Sequence, residues 1–135
     1  GFNLPVGSLM RTPYGRFPEY HTSADNLDFV KPEFLEDSLN KYKEVIFILE
    51  NDGYYKNLNP MCEPQLGKRG IYSLLGGQKK SGDVKLAILW LLNLSDGNNS
   101  LLDIAKRSGL NFRQIKEAAD ILLRAGLYEL YKKSC

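Results

Sequence analysis

The 135-residue chain is short of the residues that build disulfide frameworks and metal clusters. It contains two cysteines, Cys62 and Cys135, which lie far apart and outside any Cys-x-x-Cys pair, and a single histidine, His21. Two such cysteines cannot form a disulfide framework, so we expect free thiols and a cytoplasmic location. With no second histidine and no cysteine pair nearby, His21 cannot complete a zinc site by itself.

Long apolar runs, a leader sequence and catalytic motifs are missing as well. No run approaches the ~20 apolar residues of a membrane span, and the opening GFNLPVGSLM lacks the basic and apolar regions of a secretory signal. The chain does not start with methionine, so we expect it to begin inside a larger protein. The residues show no Ser-His-Asp order, paired acid–base set or phosphate-binding glycine loop, which argues against a complete catalytic site.

The chain does have enough apolar sequence for a buried core, at 43% hydrophobic and 25% charged residues. Its net charge of +2 is too small to indicate a partner, but the charge is unevenly distributed. Residues 1–53 carry five basic and nine acidic side chains, residues 54–82 five and one, and residues 83–135 eight and six. We interpret the blocks as a piece of one domain, an ordered linker and a second domain.

The first block predicts a short strand followed by an amphipathic helix. Val6, Leu9 and Met10 precede a turn that contains Pro and Gly, which favours a strand ending near that turn. Pro32 suits the first turn of a helix. Apolar residues then recur at steps of four and three: Leu35, Leu39, Tyr42, Ile46 and Leu49. We therefore predict a helix over residues 32–51 with one apolar face, ended by Gly53.

The other two blocks predict an irregular segment and then three helices. Proline and glycine are frequent in residues 54–82, although Leu66, Ile71 and Tyr72 predict packing there. The helix after Asp83 is apolar nearly all round, which predicts burial on most sides, and SDGNN predicts a loop. Capping and terminating residues then bound two further helices: Ser100, Gly109, Asn111 and Gly126.

These helices, followed by a predicted strand at residues 127–131, resemble a winged helix-turn-helix. A winged helix that reads DNA presents polar residues from the start of its third helix. The candidates here are Asn111, Arg113, Gln114, Lys116 and Glu117. Because Glu117 and Asp120 on the same helix would repel phosphates, we expect packing or protein interaction rather than DNA binding.

The run LMRTPYGRFPEYHTSADNLDFV, followed by an amphipathic helix, resembles the last strand, metal loop and last helix of co-catalytic zinc aminopeptidases. FPEYHTSADN, EPQLGKRGIY and the helix-turn-helix also follow the order of a bacterial aminopeptidase-like family with a winged helix after its peptidase domain. The resemblance implies that His21 ligates zinc and that the other ligands and a general-base Glu come from upstream sequence. It also implies a link to surface-polysaccharide synthesis. From the residues alone, Asp25, the nearest carboxylate, is a turn or helix cap.

The predicted fold is an α/β fragment of an aminopeptidase-like domain in residues 1–53, an ordered linker in residues 54–82 and a winged helix in residues 83–135. The predicted function is the C-terminal region of a zinc-dependent aminopeptidase-like hydrolase, inactive alone and binding zinc at most weakly. Expected partners are the upstream peptidase part or another copy of the chain, as a homo-oligomer, with neither DNA nor a membrane. The alternative is a winged-helix DNA-binding or protein-interaction module without catalytic activity.

Overall fold

The computed structural model describes residues 1–71 and 81–132. The chain divides into two compact units, Gly1–Ile46 and Phe47–Cys135. Helices and a three-stranded sheet give the mixed fold that the sequence predicts, but every strand in the described residues lies in the second unit. Tyr72 and Cys135, for which the sequence predicts packing and a free thiol, lie outside the described residues. Cys62 is an exposed free thiol.

The first helix, α1, runs Pro32–Asn51, as predicted. Proline at its first position loses no hydrogen bond, and Glu33 lies at the positive end of the helix dipole. The helix ends at Asn51, two residues before Gly53. The Gly53 carbonyl accepts a hydrogen bond from the Leu101 amide. No residue of α1 is fully buried: Phe47 and Ile48 near its end pack partly against the core, while Leu35, Leu39, Tyr42 and Ile46 remain about half exposed.

The strand predicted around Val6–Met10 is wrong. Residues 1–31 form neither a helix nor a strand, and turns follow one another from residue 13 onward. A strand needs a partner for its backbone hydrogen bonds, and no described segment pairs with these residues.

The sheet of the second unit contains β1 Tyr54–Asn57, β2 Asp96–Ser100 and β3 Tyr128–Tyr131, in the order β2-β1-β3. Both pairings are antiparallel, and β1 pairs with β3 along its whole length. Two predictions were therefore wrong: residues 54–57 are the central strand rather than linker, and SDGNN is largely a strand rather than a loop. Tertiary pairing and the burial of Tyr55 override the turn-forming composition of both segments.

Three helices pack on one another and on this sheet: α2 Ser81–Leu94, α3 Leu101–Ser108 and α4 Phe112–Arg124. Ser100 and Asn111 cap α3 and α4 as predicted, each in a reciprocal capping box. Gly109 ends α3 in the left-handed conformation. The fully buried side chains that join these elements are Ile71, Ile88, Leu91, Leu101, Ile104, Ile115, Leu122 and Leu127.

The prediction that α2 is buried on most sides was wrong. Leu86 and Leu89 remain 45% and 48% exposed, because α2 packs mainly against α4 on its opposite side. Leu66 and Ile71 do pack into the core, as predicted. None of the described helices combines the length and apolarity needed to cross a bilayer.

Candidate metal-ligand loop and helix-turn-helix surface

His21 lies at the tip of a loop built from consecutive turns. The Tyr20 amide donates to the Phe17 carbonyl at 3.3 Å, and the Thr22 amide donates to the Glu19 carbonyl at 3.1 Å. The Thr22 hydroxyl bonds the same Glu19 carbonyl at 2.8 Å, which tightens the second turn. Backbone hydrogen bonds of the residues on either side of His21 therefore fix its position in the loop, without a hydrogen bond from the imidazole.

The backbone of His21 is left-handed, with φ at 59°. Histidine is enriched in this region, yet the conformation costs of the order of 1–3 kcal/mol, and such residues cluster at functional sites. The imidazole is exposed and stacks on the Tyr20 ring, with ring centroids 3.9 Å apart and planes 16° from parallel. The loop presents the imidazole to solvent in a defined orientation.

Aromatic rings support this loop from the other side. Tyr20 contacts Phe17 edge-on at 5.5 Å and Tyr14 at 6.0 Å, and Phe17 stacks on Phe29 at 5.8 Å. Sequence reasoning missed this cluster, although Tyr14, Phe17 and Tyr20 recur at every third position. The cluster partly buries Tyr20 and Phe17 in a unit that otherwise has little core.

The loop fits a metal only as one ligand among several. Asp25 lies in the next turn, its amide donating to the Thr22 carbonyl at 3.2 Å, which agrees with its interpretation as a turn residue. Among residues 1–71 and 81–132, no group of three or more His, Cys, Asp and Glu side chains could hold a metal ion. A stable zinc site needs three or four protein ligands. An exposed imidazole suits zinc chemically, but the described residues do not complete the site.

A cleft of about 580 Å³ lies in the same unit, between the loop segment and α1. Its walls are largely apolar and include Phe17, Phe29 and Phe34. Arg11 lies at its edge, where its guanidinium pairs with Asp37 and stands 5.0 Å from the centre of the Phe34 ring. Sequence reasoning gave Arg11 no role beyond the turn, since its partner is 26 positions away.

Three of the five candidate DNA readers, Arg113, Gln114 and Lys116, contact other residues of the second unit. The Arg113 guanidinium lies 3.9 Å from the centre of the Phe47 ring. The Gln114 amide nitrogen donates to Asp83 at 2.9 Å, and Lys116 pairs with Asp120 at 2.5 Å. Each of these three side chains at the start of α4 therefore already has a contact partner in the second unit.

This chain resembles known proteins in both sequence and fold. A protein from Clostridium acetobutylicum is 58% identical over 130 residues, and it is provisionally named a polysaccharide biosynthesis protein with an aminopeptidase-like domain. A crystal structure of a chain from the same organism, provisionally described as a peptidase, matches 90% of this chain with a TM-score of 0.77 and 52% identity. This chain spans only 30% of the first relative and 26% of the second.

Two family matches divide the chain close to the end of α1. Residues 1–52 match a domain family of unknown function (DUF4910), and residues 53–130 match a winged helix-turn-helix family. The predicted likeness to an aminopeptidase-like protein with a winged helix is thereby confirmed. The winged-helix match begins at residue 53 and so includes β1, the central strand of the sheet. The predicted domain of residues 83–135 leaves this strand out. The chain belongs to the winged helix-turn-helix family.

Proposed function

We propose that this chain is the C-terminal region of a zinc-dependent aminopeptidase-like hydrolase, with His21 as one zinc ligand. The observation that carries the proposal is the exposed imidazole on a tight, left-handed loop, in a unit similar to part of an aminopeptidase-like protein. Zinc, when bound, would activate a water molecule for attack on an amide bond. The substrate class is an amide, in a peptide or in a modified sugar, because the relative's name refers to polysaccharide biosynthesis.

The apolar face of α1 supports a partner for this unit. Four of its side chains, which we call the α1 stripe, are 47–62% exposed: Leu35, Leu39, Tyr42 and Ile46. Most helices in proteins owe their stability to the packing of such a face. Full burial of each large apolar side chain contributes about 1.5–3 kcal/mol. We assign the stripe to docking on the remainder of a peptidase-like protein, which corresponds to the part of the matched relative outside the 130 aligned residues.

In this proposal the winged helix packs or associates rather than reads DNA. A base reader must leave its internal partners before it can reach a groove, and phosphate contacts supply much of DNA affinity. Arg113, Gln114 and Lys116 all have such partners. Glu117 and Asp120 add negative charge to the same helix.

The proposal is tested first by a zinc titration of the 135-residue chain in a calorimeter, beside assays of peptide and N-acyl sugar hydrolysis. We expect weak zinc binding that His21→Ala abolishes, and no hydrolysis, because one imidazole cannot complete the site. Tight zinc binding that survives His21→Ala would contradict the role of His21. Hydrolysis by the chain alone would contradict the need for other ligands.

A further inference from the structure

We propose that the outer edge of β3 pairs antiparallel with β3 of a second copy of this chain, which joins two three-stranded sheets into one. The sheet order is β2-β1-β3, and no other strand of the described residues pairs with β3 on its outer side. Such an edge presents N–H and C=O groups to which another strand can bind. The inference rests on the proposed function only in taking the winged helix as a module that associates.

A backbone hydrogen bond just before β3 establishes which of its residues face this edge. The Leu58 amide donates to the Leu127 carbonyl at 2.9 Å, so Leu127 faces β1. Backbone groups point alternately to the two sides of an antiparallel strand, and the register of β1 with β3 is regular. The N–H and C=O groups of Tyr128 and Leu130 therefore point outwards. Neither of these two amides donates to a backbone group outside the sheet among the described residues.

The described part of the chain fits one two-fold register at this edge. In that register Leu130 lies opposite Leu130 of the second copy, and Tyr128 lies opposite Lys132, which directly follows the strand. Every outward-facing residue then meets another, and three pairs exchange two hydrogen bonds each, about six in all. A register centred on Tyr128 would instead place Leu130 opposite Gly126, which lies in a turn.

The side chains of β3 favour the same partner. Leu130 is 58% exposed, whereas Tyr128 in the same strand is 3% exposed. In the proposed register the two copies of Leu130 face each other, and such apolar cross-strand pairs stabilise a sheet. Glu129 lies opposite Tyr131, so no like charges are directly opposed. Because β3 has only four residues, the paired surface is small, and we expect a dimer that dissociates on dilution.

Sedimentation of the 135-residue chain over a range of concentrations up to about 1 mM measures this dimer. Leu130→Pro removes the central amide donor of each copy but no bond to β1, since proline is tolerated where an edge N–H faces solvent. We expect the dissociation constant to rise about tenfold or more, because two hydrogen bonds are lost. Leu130→Val is the matched control, which keeps the donor and an apolar side chain and should dimerise like the unmodified chain. Circular dichroism establishes that each variant is folded.

A cysteine variant tests the register independently of proline. In a chain with Cys62→Ser and Cys135→Ser, Leu130→Cys should form a disulfide-linked dimer on mild oxidation, because Cα atoms of a hydrogen-bonded pair lie about 5.5 Å apart. Glu129→Cys is the control, since its counterpart is displaced by two residues, about 7 Å along the strand.

Three outcomes would overturn the proposal: a chain that stays monomeric up to about 1 mM, a dimer that folded Leu130→Pro leaves unchanged, or equal cross-linking through positions 129 and 130. A dimer that only Leu35→Glu disrupts would also overturn it, because the α1 stripe would then be the interface. None of these measurements involves zinc or hydrolysis, so their failure leaves the proposed role of His21 standing.

Discussion

Among single residues, Gly97 in β2 shows how closely the sheet is packed. Its φ of 88° is left-handed, and a Cβ built there would lie 3.0 Å from the Tyr131 ring of β3. Gly109, with φ at 73°, has nothing within 4 Å of such a Cβ. A side chain at Gly109 would therefore meet backbone strain alone, whereas a side chain at Gly97 would meet both backbone strain and a clash with Tyr131.

We expect Gly109→Ala to lower the free energy of unfolding by about 1 kcal/mol, from left-handed strain partly offset in the unfolded chain. Gly97→Ala should cost about 2–4 kcal/mol, because the Tyr131 ring must also move. Urea unfolding of both variants measures the difference. An equal cost at the two positions, or an excess that persists in a Tyr131→Ala background, would contradict the packing role of Gly97.

Tyr128 links stability to high pH. Its hydroxyl donates to the Ser95 hydroxyl at 2.8 Å inside the sheet, and burial raises the pKa of Tyr128 well above its usual value of 10.0. Because the pKa of Tyr128 is raised in the folded state, its contribution to the free energy of unfolding is fully present below about pH 10. This contribution is lost as the pH rises above that value.

Denaturant unfolding across about pH 8–12 should therefore show a decline above pH ~10, with a slope of up to about 1.4 kcal/mol per pH unit from Tyr128. Tyr128→Phe should be less stable at neutral pH by about 1 kcal/mol, since the Ser95 hydrogen bond is lost. Its profile above pH ~10 should be flatter, because the variant no longer has the buried hydroxyl whose ionisation favours the unfolded chain. Parallel profiles for the two proteins would show that Tyr128 does not carry this linkage.

Local sequence was sufficient where the controlling contacts lie within a few residues. Ser100 and Asp103 form their capping box three positions apart, and Asn111 does the same with Gln114, so both helix starts could be predicted. The Tyr20–His21 stack could not, because it depends on a left-handed residue that no nearby glycine signals. The role of Arg11 depends on a distant partner in α1.

Among the elements, α4 is the helix that would enter the DNA groove in a DNA-reading winged helix, so the expectation that it packs instead can be tested. Arg113 stacks on Phe47, which also meets Phe112 edge-on at 6.1 Å, so this side chain belongs to the packing of the domain. We expect Arg113→Ala to change duplex DNA affinity far less than the about 1–3 kcal/mol that a lost base contact costs.

The measurement is a DNA titration at two salt concentrations, with a thermal melt of each protein to register the lost contact with Phe47. Weak binding in both proteins and a lower melting temperature for Arg113→Ala would support the packing role. Tight, salt-sensitive binding that Arg113→Ala abolishes would instead establish α4 as a recognition helix.

The strands were harder to predict than the helices for a physical reason. The helix at residues 32–51 follows from a repeated apolar step that is visible in any window of its sequence. In contrast, β1 and β2 are four and five residues long and take their stability from pairing across the chain. Residues typical of turns in these segments favour loops locally, and only the pairing with distant segments makes them strands.

For the molecule as a whole, the α1 stripe predicts association with the rest of a peptidase-like protein. The test uses the part of the Clostridium acetobutylicum relative that this chain does not match, produced separately and mixed with the chain. Leu35→Glu places a charge in the stripe, and Asn40→Glu places the same charge at an exposed position outside it. We expect Leu35→Glu to weaken association at least about tenfold, as lost burial of one leucine implies.

Asn40→Glu should associate like the unmodified chain. Equal association of both variants would show that the stripe is not the docking surface. Self-association of the unmixed chain that only Leu35→Glu disrupts would instead assign the stripe to a homo-oligomer.

The zinc content of that reconstituted complex, measured by elemental analysis after exhaustive dialysis, tests the role of His21 most directly. We predict that the unmodified chain and His21→Ala both associate with the relative's remainder, because His21 lies outside the stripe. Only the complex with His21 should retain the full zinc content, since the imidazole supplies one of the site's ligands. Equal zinc retention in the two complexes would contradict the assignment of His21 as a metal ligand.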